Sequence, residues 1–527
     1  MMVAQYDAII VGGGHNGLTC GAYLARAGLK TLVLERRYIV GGAAVTEEFT
    51  PGFRASIFSY IMGHVHPKVI RELELAKFGL EHLKIKEVIH PLHDGDYIVF
   101  SSDTAVTQQQ IARFSKKDAA AYPEFFADMT TTIEVMRRLL LETPIDPANR
   151  SFAALVDTAK MIWRYRKIGD EMYRMLDAMT MSAYDYVSQW FESEEVKALF
   201  CYWAGIGSFS GPRTPGTAYS ILFHLLGENG LGFSRGGMGK ISESIADSGR
   251  RYGLEIRTEA PVAEILVKNG RAYGVRLENG DEFKGKLVAS NLAAPVTFQE
   301  LVAAEYLPDE FKRDIRNYRA KGSAFKINIA VDKAPQYKGF DPSVAGVDYP
   351  VYAHIGPTVD YLERAYDETK YGWYSSKPFK SPIVPSDIDD SLAPDGKHVV
   401  TLSGGFAPYQ LRNASWDDER DNFVENVMNV MDEFAPGFSS SVIDMQVLLP
   451  PDLERILGMP GGHELHGDVA LDQLFFKRPA AHYADYRSPI AGLYQCGAST
   501  HPGGGVTCVP GHNAAREILK DWRKLRR

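Results

Sequence analysis

Gly12, Gly14 and Gly17 stand in G-x-G-x-x-G spacing directly after an apolar run at residues 8–11. The chemistry this spacing serves is dinucleotide binding. Gly12 permits a tight turn, Gly14 lets the backbone approach a pyrophosphate, and Gly17 lets a helix pack closely on a strand. The phosphates would meet free N–H groups at the helix N-terminus, where the helix dipole favours negative charge. Glu35 follows the second apolar run, residues 31–34. There its carboxylate can accept hydrogen bonds from ribose hydroxyls. Arg36 and Arg37 come next and would suit the 2′-phosphate of NADP. Gly41, Gly42 and Ala43 weigh the other way, because a second glycine pair lets the backbone follow a longer cofactor, FAD.

A second glycine-rich segment, residues 497–506, contains Gly497, His501, Pro502, Gly504, Gly505 and Val506. It leads into a stretch, 511–525, that reads as a helix. A helix N-terminus there could stabilise the negative charge of a reduced flavin. A catalytic base near neutral pH is most simply a histidine. His501 is the first candidate, either as that base or as a residue that shapes the turn. His64 and His66 follow, next to the aromatic stretch at 58–60. His463 and His466 flank Glu464, but H-E-L-H lacks the i, i+4 histidine pair of zinc helices. We expect no metal there and read a substrate-site or structural role. Cys20, Cys201, Cys496 and Cys508 contain no C-x-x-C pair, which argues against a redox dithiol and for a reducing, cytoplasmic compartment.

The elements that must position these groups are legible in outline. Residues 6–35 read as strand, turn, helix, strand. Residues 104–235 carry amphipathic helical patterns (125–141, 152–181) and many aromatics, which are either core or the lining of an apolar pocket. Residues 252–292 return to strand patterning, with hairpin turns at Asn269-Gly270 and Asn279-Gly280. A last short strand is expected at 492–496. The fold class is α/β. A discontinuous Rossmann-like FAD-binding domain is built from 1–103, 231–295 and 451–527, and an α+β substrate or lid domain from 104–230 and 296–450.

Composition sets the limits. The 527 residues are 45% hydrophobic and 24% charged, with 58 Lys+Arg against 66 Asp+Glu, net −8. A dominant polybasic surface is excluded, and nucleic acid with it as the main partner. No apolar run reaches the ~18 residues of a membrane-spanning helix, so any membrane association would be peripheral.

Together the two glycine segments resemble the phytoene desaturase-like FAD-dependent oxidoreductases, relatives of the flavin amine oxidases. The stretch 459–475, with Pro460-Gly461-Gly462-His463, His466-Gly467-Asp468 and Asp472-Gln473-Leu474-Phe475, is most similar to the branch called pyridine nucleotide-disulfide oxidoreductase domain-containing protein 2. The resemblance implies FAD along the first strand–helix–strand unit, with Gly41, Gly42 and Ala43 near its pyrophosphate and flavin. It implies that Gly236-Gly237-Met238-Gly239 opens the middle FAD segment and that Val262 touches the adenine through its backbone. Gly497 and residues 502–506 would then lie at the flavin end. The activity implied is hydride transfer from a substrate C–H to flavin N5. The substrate would be a small apolar or amine-bearing molecule and the electron acceptor oxygen or a quinone. A redox-neutral flavoenzyme and a flavoprotein serving mainly interaction remain the alternatives. The oligomeric state is unknown from sequence.

Overall fold

The computed structural model describes residues 5–228 and 230–525. Strand β1 (Tyr6–Val11), helix α1 (His15–Arg26) and strand β2 (Thr31–Leu34) form in the expected order. β2 is buried along its whole length, as its unbroken apolar character requires of a parallel strand covered on both faces. A parallel sheet runs in the spatial order Leu493–Gln495, Glu282–Ser290, β1, β2, Glu255–Arg257. Three distant parts of the chain therefore meet in one sheet.

The Glu282–Ser290 strand changes partners along its length. Its first residues pair antiparallel with Arg271–Leu277, which in turn pairs with Val262–Lys268. Its later residues run parallel to β1, with Val288 opposite Ile9. Asn269 and Gly270 both adopt positive φ, 53° and 70°, as a two-residue hairpin turn demands. At the second turn only Gly280 does, and the Asn279 side chain accepts from the Asp281 N–H instead.

α1 packs against the Gly239–Arg251 and Val509–Leu525 helices. Glycines set the closeness. A Cβ on Gly17 would lie 2.2 Å from the Gly12 carbonyl oxygen, and one on Gly511 would lie 2.1 Å from that of Asn16. A second, antiparallel sheet has the order Phe379–Ile383, His398–Gly405, Ala324–Val331, Val442–Leu448. The Trp416–Phe434 helix covers it through Phe423, Val427 and Met431.

The expected helical region is present, but the 152–181 stretch divides into Phe152–Tyr165 and Glu171–Thr180, with Gly169 between them. Ser151 caps the first of these through the Ala154 N–H. The aromatics also divide. Tyr186, Phe191, Tyr202 and Trp203 are buried, whereas Tyr173 is 70% exposed.

Two glycines next to the first unit should respond differently to a methyl group. Gly17→Ala forces a carbon into a backbone oxygen and should cost at least about 2 kcal/mol. Gly28→Ala meets nothing within 4 Å at φ +86° and should cost only the left-handed backbone penalty, about 1 kcal/mol. Denaturant unfolding of both variants checks the order, and equal losses would contradict this packing.

Candidate active site

A cleft of about 620 Å³ opens where α1 begins. Its walls come from the glycine turn (Gly12, Gly14), the end of β2 (Glu35), Gly42 and Ala43, Val262, and the Asn291–Leu292 segment. Glu35 is buried, 7% exposed. Its Oε2 accepts from the Gly13 N–H at 2.7 Å and its Oε1 from the Arg37 N–H at 2.9 Å. One carboxylate thus fixes the turn and closes the cleft at the same place.

The cleft also carries buried polar atoms without a protein partner: His15 Nε2, Asn16 Oδ1, Arg37 NH1 and His466 Nδ1. Buried polar groups are nearly always hydrogen-bonded. Four orphans along one cleft, beside a turn where a Cβ on Gly14 would crowd the Asn291 amide (2.7 Å from Nδ2), fit an extended polar ligand such as a dinucleotide.

A second cavity, about 170 Å³, adjoins the first, and His15, Ala43, His466 and Ala498 line both. The lining is mainly apolar and includes Phe58, Ile61, Trp203, Phe223, Phe379 and Leu465. Glu464 is the one carboxylate that lines it among the described residues, its Oε1 held by the Gly207 N–H at 2.7 Å. Behind the wall, the buried Lys326 Nζ donates to the Ser56 and Phe58 carbonyls at 2.9 and 2.7 Å and so fixes the 56–58 segment.

The structure brings some candidates together and separates others. Gly12, Gly14, Glu35, Arg36, Gly42, Ala43 and Val262 line the cleft; Gly504, Gly505 and Val506 line the cavity, as does His64. Gly17, Gly41 and Gly497 line neither, but make the turn possible. Gly41 N–H donates to the Gly13 carbonyl, and a Cβ on Gly497 would lie 2.2 Å from the Asn291 carbonyl oxygen. The Arg36 guanidinium donates to the Arg455 and Ile456 carbonyls, at the end of the Pro450–Leu457 helix. Pro502 is buried outside the cavity lining.

Two histidines do not reach the cavity. His501 is turned toward the Lys116–Leu140 helix, where Nε2 donates to the Leu139 carbonyl at 3.0 Å. His66 caps the Pro67–Glu72 helix, its Nδ1 accepting from the Lys68 N–H. Local backbone demands take both rings. His15, Asn16, Asn291 and Ala498 were not singled out from sequence; His15 and Asn16 were the unassigned polar positions inside the glycine motif itself. His463 is paired with Asp468 at 3.0 Å. Among the described residues no cluster of three or more His, Cys, Asp or Glu could hold a metal ion.

The cavity histidines are kept neutral by burial. It pushes His15 and His224 down to about 4 and His466 to about 3, and it lowers His64 as well. The unfolded chain therefore binds protons that the folded chain refuses, between pH 6.5 and about 4. Stability is full above that window and is lost as pH falls through it. The thermal midpoint should drop by at least about 5 °C from pH 7.5 to pH 4.5; a flat profile would contradict the neutral cluster. In the cleft, Glu35→Ala removes two charge-assisted hydrogen bonds from the turn. Titration of the apoprotein should show cofactor affinity down roughly ten- to hundredfold.

Known proteins share this arrangement of sequence and fold. The sequence profile described as flavin containing amine oxidoreductase matches residues 17–519. The pyridine nucleotide-disulfide oxidoreductase domain-containing protein 2 of Rattus norvegicus is 37% identical, over 99% of this chain and 94% of that one. A component of the limonene dehydrogenase of Castellaniella defragrans is 26% identical over 98% and 95%. Among solved structures, cyclohexylamine oxidase from Brevibacterium oxydans superposes with a TM-score of 0.57 at 14% identity, over 99% of this chain and 100% of that one. The profile begins at the last glycine of the first turn and covers the rest of the chain through the C-terminal glycine segment, and the solved fold agrees with it. The chain belongs to the flavin-containing amine oxidoreductase family and is an FAD-dependent oxidoreductase.

Proposed function

We propose that this enzyme removes a hydride and a proton from adjacent positions of a small, largely apolar molecule held in the 170 Å³ cavity. The observation that carries the reading is the junction of that apolar cavity with the polar cleft through His15, Ala43, His466 and Ala498. FAD bound along the cleft supplies a two-electron acceptor for a substrate C–H. Gly12, Gly14, Glu35, Gly42 and Val262 would hold its dinucleotide part, with Gly504, Gly505 and Val506 toward the flavin end. The antiparallel sheet and the helices between residues 104 and 230 roof the substrate. The free Cys20, Cys201, Cys496 and Cys508 support a reducing compartment such as the cytoplasm.

The protein's part is to orient the substrate, exclude water and take the proton. Phe58, Trp203, Phe223 and Phe379 supply apolar contact. Glu464 gives an amine-bearing substrate one anionic contact. His64 is the best-placed base. Its Nε2 donates to the His224 carbonyl at 3.1 Å, so the ring proton sits on Nε2 and the Nδ1 lone pair remains beside Gly505. Burial keeps this imidazole neutral and ready to accept a proton. Oxygen or a quinone would reoxidise the enzyme.

Limonene and cyclohexylamine, which give two of the relatives above their names, are the first probes. Anaerobic mixing with a turned-over substrate should bleach the flavin absorbance in proportion to product. Turnover without bleaching would favour the redox-neutral alternative. His64→Gln should retain its FAD yet reduce about 10²–10⁴ times more slowly in single turnover. Reduction at the wild-type rate would remove His64 as the base.

A further inference from the structure

Arg478 is withdrawn completely from water, 0% exposed. Its five N–H groups are all directed at backbone carbonyls. Nε and NH2 donate to Ala498 at 3.1 and 2.9 Å, NH2 also to Leu465 and Gly467, and NH1 to Asp468 and Gln473. No carboxylate pairs with it among the described residues. Asp468 turns its carboxylate to His463 at 3.0 Å and to Arg319 at 3.2 Å, and Asp472 turns its own to Arg319.

A buried charge is normally matched by an opposite one. Here peptide dipoles solvate the guanidinium and leave its net charge in place. Lys326 and Lys380 are also fully buried against carbonyls. Burial pushes both well below the ordinary lysine range, so each can shed its proton. A guanidinium cannot.

Its position gives this charge a use. Ala498 lines both cleft and cavity, Leu465 lines the cavity, and Arg478 holds both. The C-terminal glycine segment passes beside it, where a Cβ on Gly503 would lie 3.5 Å from Nε. His466, shared by cleft and cavity, feels the charge. Burial and two neighbouring histidines push His466 down to about 3, and Arg478 adds to the shift. No lysine or arginine lines the cavity itself among the described residues. A flavin that accepts a hydride gains negative charge at N1 and O2, and a fixed cation nearby favours that state.

We propose that Arg478 raises the flavin's reduction potential by holding an unneutralised positive charge behind Ala498. It is a positioning residue, since it lines neither cleft nor cavity and acts through the Ala498 peptide. The proposal rests on the reading that sets the flavin end at this junction, not on the substrate assigned there.

Sulfite is the probe. It adds to N5 of oxidised flavin, forming an N–S bond and leaving the negative charge on N1 and O2, with no other reactant. FAD-loaded wild type should form this adduct, read as loss of flavin absorbance. Arg478→Gln should raise the adduct Kd at least about tenfold and lower the midpoint potential by about 30 mV, the equivalent of tenfold for a two-electron couple. Arg478→Lys keeps a charge with fewer donors, so its thermal midpoint should fall while its adduct Kd stays within roughly threefold of wild type.

A wild type that forms no adduct overturns the proposal, as does an FAD-loaded glutamine variant with unchanged Kd and potential. Should the glutamine variant not load FAD, the lysine variant decides. An adduct about tenfold weaker there, or failure to load, assigns Arg478 a structural role only and overturns the proposal. Glu35→Ala separates the two readings. If it loses cofactor affinity while Arg478→Gln changes nothing, only this proposal falls; if neither responds, the placement of FAD falls as well.

Discussion

The space left empty at four glycines governs this molecule. Gly12, Gly14, Gly17 and Gly497 all face Asn291, and a Cβ at any of the last three would fall within 3 Å of its atoms. That closeness lets the first turn, the end of the Glu282–Ser290 strand and the C-terminal segment converge. The Asn291 N–H donates to the Val11 carbonyl and so continues the parallel sheet past its last residue. The cleft exists because these three segments touch through backbone, leaving the helix N-terminus of α1 open beside them. Dinucleotide sites of this kind depend on backbone approach, which side chains would block.

Around that convergence the chain handles charge in two ways. Ionic groups near the turn are fixed by hydrogen bonds: Glu35 holds two backbone N–H groups, and Arg37 grips both oxygens of Glu47. The histidines of the adjoining cavity are instead held neutral by burial. A neutral imidazole can accept a proton, whereas an imidazolium cannot, so burial favours a basic role there even as it weakens the base. The same competition explains why two further histidines lie elsewhere. His501 and His66 satisfy backbone groups at helix ends, a structural need that draws on the same side chain as catalysis.

The sequence alone determined the first strand–turn–helix–strand unit, because its signals are local: an apolar run, glycines at fixed offsets and an acid at the strand end. The cofactor class, the hairpin at Asn269-Gly270 and the helical middle region were legible for the same reason. Glycines 504 and 505 were also legible, through a motif that resemblance made specific. The split of residues 152–181 into two helices was missed, since apolar periodicity alone did not mark the break near Gly169.

Only the tertiary structure decided which side chains share the cavity. The sequence reading put His501 ahead of His64, and the structure reverses that order: His64 faces the cavity and His501 is drawn to the Leu139 carbonyl, a partner 362 positions away in the chain. Asn291 carried no local signal, because its importance comes from the glycines of two remote segments. Glu464 and His466 stood in a loop whose direction no propensity fixes. The exposed faces of helices Phe152–Tyr165 and Glu171–Thr180 belong to the same category. An amphipathic pattern specifies that a helix has an apolar side, but only packing decides whether the protein itself covers it.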